Sequence, residues 1–168
     1  MSNYDESYLS FARRTKRNLE FIQQSSGDST LQIYEVTQLV NSLLGLLLFP
    51  RSYTWGSFRS YRLNRLDPQQ WPNLTNQSTS LDKLPIPHLE RVLREMRNAV
   101  AHNDIRFIAD RNNEIERIVF RNINSKNTDN PYREWVLELT LPELRLLLDS
   151  LLSEYERIAQ GKMQINGI

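Results

Sequence analysis

Residues 33–49 read IYEVTQLVNSLLGLLLF, and this stretch decides the fold class. Its second half is apolar almost all round, so a helix formed here must be covered by neighbouring helices. Glu35, Gln38 and Asn41 interrupt its first half, and the whole stretch is barely long enough to span a bilayer. We therefore predict a central helix of a bundle, with its polar side chains in a hydrogen-bond network or a helix contact.

The signals that bound this helix lie on either side of the stretch. Ser29 and Gln32 form a capping-box pattern, and Pro50 cannot continue a helix. They predict a helix over residues 29–49. Apolar side chains at helical spacing predict a further helix over residues 4–24. Those side chains are Tyr8, Phe11, Ala12, Leu19 and Ile22.

Two more helices are predicted in the second half of the chain. A helix is predicted over residues 87–102, because proline is tolerated in a first turn and an apolar stripe follows it. The stripe consists of Leu89, Val92, Leu93, Met96 and Val100. A second capping box, from Thr140 to Glu143, opens a helix over residues 141–159, which Gly161 is expected to end.

Between these two helices the apolar residues recur at a period of two. This pattern predicts strands over residues 105–109, 115–123 and 133–139, joined by short turns in an antiparallel meander. Residues 51–86 have no sustained period and are rich in Ser, Asn, Gln and Pro, which predicts a long irregular loop. The predicted fold is mainly α: a four-helix bundle with a three-stranded antiparallel β-meander inserted before the last helix, in one domain over residues 1–168.

Composition narrows the chemistry that this chain can carry. The 168 residues are 39% hydrophobic and 24% charged, as in an ordinary soluble globular protein. The formal net charge is +1, so any attraction to nucleic acid must come from local patches. The chain has no cysteine and no signal-peptide pattern, which favours a cytoplasmic location. Its two histidines match no metal-ligand spacing, so we expect neither a metal nor a cofactor.

The residues with the clearest chemistry are Arg97, Asn98 and His102, at the predicted end of the third helix. An arginine that holds a phosphate and a histidine that moves a proton are the minimum for cleaving RNA without a metal. Five residues turn an ideal helix through about 500°, so Arg97 and His102 do not share a face. A joint role requires that the helix ends just before His102, or that two helices contribute across a dimer axis. From spacing alone, an ordinary capping cation is the better interpretation.

A late helix that ends in Arg97, Asn98 and, after three more residues, His102 resembles the HEPN superfamily (higher eukaryotes and prokaryotes nucleotide-binding domain). The segment from Tyr34 to Leu47 also resembles a bacterial and plasmid-borne branch of HEPN nucleases, so the resemblance extends from the first helix to the last. The meander is a departure from a plain four-helix HEPN core.

The resemblance implies a metal-independent endoribonuclease with Arg97 and His102 as catalytic residues at a homodimer interface, and with Asn98 as the polar residue beside the arginine. Attack by a ribose 2′-hydroxyl would leave a 2′,3′-cyclic phosphate and a 5′-hydroxyl. The resemblance also implies a toxin or phage-defence effector, held in check by an inhibitory partner protein or by a trigger. Because residues 33–49 fit a buried helix better than a membrane span, we expect no contact with a membrane.

The loop from Arg51 to Arg65 has the composition of an RNA-binding segment. It holds four arginines, four aromatics and no acid, a mixture that binds phosphates and stacks on unpaired bases. The predicted RNA-binding residues are Arg51, Trp55, Arg59, Arg62 and Arg65, with Arg94 on the third helix. The alternative is that Trp55 and Phe58 dock the loop on the core while its arginines stay solvated.

Three further interpretations stay open. The basic run Arg13, Arg14, Lys16 and Arg17 on the first helix is typical of a solvated face. The chain can also be a HEPN-like module that binds RNA or a protein without cleaving. Finally, it can be a helical adaptor outside the HEPN superfamily, in which the pairing of arginine and histidine is a coincidence.

Overall fold

A computed structural model of the chain describes residues 3–25, 35–48, 56–75, 77–79, 86–123 and 134–165. The chain divides into two compact units. The first combines residues 1–50 with residues 147–168, and the second is residues 51–146. Helices make up the first unit in its described part, whereas the second combines a helix with an antiparallel sheet.

The first unit begins with helix α1, Asn3–Ser25, where a helix over residues 4–24 is predicted. Its buried residues recur at steps of three and four, the period of a helix with one face in a core. They are Ala12, Thr15 and Leu19. The opposite side is exposed to solvent, including Phe21 at 62% exposure. This phenylalanine lies on the side of α1 opposite to the buried residues.

Helix α2, Glu35–Leu48, lies within the helix predicted over residues 29–49. The capping pattern of Ser29 and Gln32 falls outside the described residues. The apolar side of α2 is buried through Leu39, Val40, Leu43, Leu46 and Leu47. Among the described helices, none combines the length and the hydropathy that crossing a bilayer requires.

The other side of α2 faces solvent. Gln38 and Asn41 are exposed, so water can satisfy their polar groups, and the expected hydrogen-bond network or helix contact stays a prediction. Helix α2 also approaches α1 closely at Gly45, where a Cβ atom would lie 2.6 Å from Cζ of Phe11. A glycine at this position therefore sets how near the two helices come.

The second unit is built around helix α3, Leu89–Ala101, which is shorter at both ends than the prediction over residues 87–102. His88 is the extended N-cap residue, and its backbone forms an isolated antiparallel bridge with Arg62. Pairing with the preceding loop therefore takes the place of the predicted first helical turn.

The sheet of this unit contains the predicted meander and one strand more. The meander strands are β2, Ile105–Ala109, β3, Ile115–Ile123, and β4, Glu134–Thr140. A short strand β1, Gln77–Thr79, pairs antiparallel with β4, and the strand order is β1-β4-β3-β2. The prediction of an irregular loop over residues 51–86 is therefore wrong at β1. Three polar residues show no apolar alternation, and only the pairing with β4 makes them a strand.

One face of the sheet is buried along β3 and β4, and α3 packs on β3. The largest buried side chains of this face are Ile118, Phe120, Trp135, Leu137 and Leu139. Trp135 also donates its Nε1–H to Oε1 of Gln77 at 2.6 Å, which fastens β1 to the edge of β4. Burial of a large indole with a partner for its N–H is the arrangement that tryptophan favours.

The described part of the loop before α3 is packed rather than open. It forms two 3₁₀ turns, Ser57–Ser60 and Leu63–Arg65. Its buried side chains include Phe58, Leu63, Trp71, Leu74 and Ile86. The Tyr61 ring contacts those of Phe58 and Trp71 edge to face, with centroids 5.6 and 6.4 Å apart.

Helix α4, Leu141–Ile165, begins in the second unit and continues into the first. Its predicted capping box is confirmed: Thr140 N–H donates to Glu143 Oε2 at 2.9 Å, and Glu143 N–H donates to Thr140 Oγ1 at 3.4 Å. The predicted end at residue 159 is wrong, because the helix continues through Gly161. A glycine inside a helix costs only about 1 kcal/mol, and no proline follows to stop it.

Candidate functional site

Helix α3 turns a polar stripe away from its buried side. Arg94, Asn98 and His102 follow one another along this stripe at steps of four, and Arg97 lies beside them. Arg97 and His102 are exposed, whereas Arg94 and Asn98 are half-buried. Packing of the apolar side on the sheet therefore leaves the three predicted catalytic residues on the accessible side of α3.

A Schellman turn ends α3 and fixes the backbone at His102, the C-cap residue. Asn103 N–H donates to the Val100 carbonyl at 3.0 Å, and Asp104 N–H donates to the Ala99 carbonyl at 2.8 Å. These are the two hydrogen bonds that define the motif. Asn103 has a φ of 55°, a left-handed conformation that asparagine tolerates better than most residues. The helix thus ends at Ala101, just before His102.

Strand β3 holds this turn in place. Arg121 N–H donates to the Asp104 carbonyl at 3.0 Å, and Arg121 Nη1 lies 3.9 Å from Asp104 Oδ1. Because β3 pairs on one side with β2 and on the other with β4, it is an interior strand of the sheet. The residue two positions after His102 is therefore anchored to a rigid element.

Sequence reasoning missed Glu95, which is fully buried on α3. Its Oε2 accepts a hydrogen bond from Asn122 Nδ2 of β3, and its Oε1 lies 2.5 Å from Nη2 of Arg91 as an ion pair. A carboxylate closed off from solvent cannot reach a substrate, so this cluster links α3 to the sheet. The available signal was its place between Val92 and Ala99 on the buried side, at steps of three and four.

Several arginines near α3 are already engaged by acids. Arg91 pairs with Glu95, and the predicted RNA-binding residue Arg94 pairs with Glu90 one turn earlier. Both pairs follow the i, i+4 spacing that brings side chains together on a helix. A phosphate at Arg94 would have to compete with a carboxylate of the same helix.

Arg117 on β3 is engaged in the same way. Its Nη1 donates to Glu138 Oε1 of β4 at 2.6 Å. This hydrogen bond, together with the nearby charges of Glu116 and Glu138, raises the pKa of Arg117. This guanidinium serves to join two strands.

The loop arginines differ from these. Arg59, Arg62 and Arg65 are exposed, and none of them forms an ion pair with a carboxylate that the structure describes. Phe58, directly before Arg59, is fully buried, so it docks the loop and cannot stack on a base. Arg51 and Trp55, the other two predicted RNA-binding residues of this loop, lie outside the described residues.

The loop meets α3 at the end opposite to His102. Leu89 N–H, at the start of α3, donates to the Tyr61 carbonyl at 3.0 Å, and Leu63 N–H donates to the Pro87 carbonyl at 2.9 Å. With a rise of about 1.5 Å per residue, Arg97 lies about 12 Å further along the helix than Leu89. The loop arginines therefore lie near the start of α3, whereas Arg97 and His102 lie near its end.

Metal ligands do not gather at this site. Among the described residues, no three His, Asp or Glu side chains form a group able to hold a metal ion. The expectation that the protein works without a metal stays a prediction.

A family model described as HEPN pEK499 p136 matches residues 1–161 of this chain. The matched span includes Arg97, Asn98 and His102, together with the loop before α3 and all strands of the sheet. No curated protein matches the chain, and no solved structure matches it.

Proposed function

Since the chain belongs to the HEPN superfamily, we propose that it is a metal-independent endoribonuclease with Arg97 and His102 as its catalytic residues. The observation that supports this most is the end of α3, where the Schellman turn presents an exposed His102 five residues after an exposed Arg97. Membership of the superfamily favours a nuclease or RNA-related function. At the end of α3, Arg97 can bind a phosphate and His102 can transfer a proton.

The reaction is a transfer of the phosphoryl group within the RNA strand. The ribose 2′-oxygen attacks the adjacent phosphorus as it loses its proton to a base, the P–O2′ bond forms and the P–O5′ bond breaks. His102 donates a proton to the departing 5′-oxygen or takes the proton of the 2′-hydroxyl. Arg97 stabilises the negative charge that develops on the phosphorane, and Asn98 orients the phosphate or the imidazole.

The substrate is held by groups outside the chemistry. The exposed Arg59, Arg62 and Arg65 of the loop bind phosphates of single-stranded or loop RNA, and Arg94 contributes where a phosphate displaces Glu90. The three loop arginines act at the far end of α3 from His102, so they contribute affinity rather than bond cleavage.

Two copies of the chain complete the enzyme in this proposal. Each protomer offers one accessible histidine at this site, and a two-fold axis beside α3 would supply a second, so that one acts as acid and the other as base. An inhibitory partner protein would keep such a dimer inactive, as is expected of a toxin or a phage-defence effector.

Cleavage in EDTA tests the proposal. The purified protein should cut single-stranded RNA at full rate in EDTA and leave 2′,3′-cyclic phosphate and 5′-hydroxyl ends. His102→Ala and Arg97→Ala should each lower the rate by about 100-fold or more, because general acid–base catalysis contributes on that scale. The matched control is His88→Ala, which removes the chain's other histidine at the opposite end of α3.

Two results would contradict the nuclease. Full activity in a folded His102→Ala variant would exclude the assigned acid, and 5′-phosphate ends would indicate attack by an activated water instead. A protein that binds RNA but leaves it intact under all these conditions would be a HEPN-like binding module, the second candidate function.

A further inference from the structure

Helix α1 carries an exposed surface that the proposed active site does not use. Arg14, Arg17 and Phe21 follow one another on its exposed side at steps of three and four, with Arg13 beside them. We name Arg13, Arg14, Arg17 and Phe21 the α1 patch. At about 100° per residue, Phe21 points about 160° away from the buried Leu19, so it cannot be a displaced core residue.

Within residues 13–17 of α1, some side chains are engaged by the rest of the unit and others are exposed to solvent. Thr15 is buried, and Lys16 Nζ lies 3.6 Å from Glu156 Oε2 of α4 within the same unit. Arg13, Arg14 and Arg17 are exposed, and no carboxylate among the described residues pairs with them. In a chain of net charge +1 this is a local concentration of cations.

We infer that the α1 patch is a binding surface for single-stranded RNA, with Phe21 stacking on an unpaired base and the arginines, which precede it on the helix, holding the phosphates on one side of that base. Each of these contacts is of a known kind: bases stack on aromatic rings whatever their sequence, and arginine pairs with phosphate. The inference rests on the proposed function for the identity of the nucleic acid as RNA.

Other partners fit this surface less well. A helix that lies in a membrane interface needs a broad apolar face, whereas the apolar side of α1 is buried and its exposed side offers a single phenylalanine. The core of a protein interface is depleted of charge, whereas here three arginines lie within the eight residues before the aromatic ring, on the same exposed side of the helix. Phosphates are the complement of this charge.

Binding of a non-cleavable RNA tests the patch without any contribution from catalysis. The probe is a short fluorescein-labelled 2′-O-methyl oligonucleotide without secondary structure, and the readout is anisotropy over a range of salt concentrations. Phe21→Ala should weaken binding about 5-fold or more and leave the salt slope unchanged, and Phe21→Trp should restore the affinity. Arg14→Ala combined with Arg17→Ala should reduce the log–log salt slope by up to about 1.4.

The chain offers a matched control for each change. Phe107 on β2 is 51% exposed, and Arg111 in the β2–β3 turn is exposed without an ion pair to a described carboxylate. Phe107→Ala and Arg111→Ala should leave both affinity and salt slope as in the wild type.

The possible results distinguish a failure of this inference from a failure of the proposed nuclease activity. Weakened binding in Phe21→Ala alone supports the patch even in a protein that cuts no RNA. Equal affinities of the Phe21→Ala and Phe107→Ala variants overturn it, even in an active nuclease. Loss of binding to anionic lipid vesicles in the double arginine variant, with RNA binding intact, would overturn it in favour of a membrane surface.

Discussion

Asn103 is the residue that sets the conformation of the turn after His102. Its φ of 55° costs a residue with a Cβ and no polar side chain about 1 kcal/mol, whereas glycine adopts it freely. Asn103→Ala should therefore lower the free energy of unfolding by about 1 kcal/mol, and Asn103→Gly should leave it within a few tenths. Urea unfolding followed by circular dichroism measures both, and an Ala variant as stable as the Gly variant would refute the left-handed turn.

Glu95 makes a second residue-scale prediction possible. Asn122→Ala would leave the buried carboxylate of Glu95 paired with Arg91 alone. We therefore expect the free energy of unfolding to fall by about 1–3 kcal/mol. Asn64→Ala, at an exposed position in a 3₁₀ turn, is the matched control and should change stability little. Equal stabilities of these two variants would mean that the hydrogen bond to Glu95 contributes nothing to the fold.

At the scale of elements, the approach of α1 and α2 depends on Gly45. Its replacement by alanine would place a Cβ 2.6 Å from the Phe11 ring, so Gly45→Ala should destabilise the protein by about 1–3 kcal/mol despite the better helix propensity of alanine. In a Phe11→Ala background the same change should stabilise by about 1 kcal/mol, because the clash is gone and the propensity remains.

Thermal and urea unfolding of the double-mutant cycle measure this reversal of sign. Gly56→Ala is the control, since a Cβ there meets nothing within 4 Å. A destabilising Gly45→Ala in both backgrounds would mean that the Phe11 ring is not what limits the approach.

The loop before α3 gives the next element-scale prediction. Arg59→Ala combined with Arg62→Ala should weaken binding of single-stranded RNA and reduce the log–log salt slope by up to about 1.4, because the two exposed guanidiniums release counterions on contact with phosphates. Cleavage at saturating RNA should hardly change. Arg111→Ala serves as control, and an unchanged slope in the double variant would show that the loop does not touch the RNA backbone.

Elements with a regular period were predictable from the sequence, and elements defined by tertiary pairing were not. The apolar stripe from Leu89 to Val100 and the alternation in the meander follow from local geometry, and so does the capping box at Thr140. Strand β1 has no pattern of its own, since only the pairing of Gln77–Thr79 with β4 creates it. Helix α4 continues past Gly161 because the helix propensities of the neighbouring residues together outweigh the cost of one glycine. The glycine alone does not show this.

The candidate site was predictable in the same uneven way. The order of Arg97, Asn98 and His102 at a helix end could be predicted from the sequence, and the structure ends the helix at Ala101, directly before His102. Glu95 was missed because a charged residue beside Arg94 is typical of a solvated face. Its spacing from Val92 and Ala99 nevertheless places it on the side of α3 that the sheet buries. The exposure of Phe21 likewise follows from which side of α1 is buried.

At the scale of the whole molecule, the question is whether each active site is built from two protomers. If Arg97 of one protomer works with His102 of the other, a mixed dimer of Arg97→Ala and His102→Ala chains contains one site with both residues intact. Equal mixing puts half of the dimers in this form, with one of their two sites restored. Unfolding and refolding the two inactive variants together should therefore recover about a quarter of the wild-type cleavage rate.

Each variant refolded alone is the control and should stay inactive, and light scattering should show that wild type and mixture are both dimers. A site within one protomer predicts the opposite result, because every chain in the mixture then carries a defect in its own site. Dimers that form fully and still recover no cleavage would mean that a site needs Arg97 and His102 of the same protomer, or both histidines of the dimer at once. Wild-type activity in a strict monomer would exclude the composite site altogether.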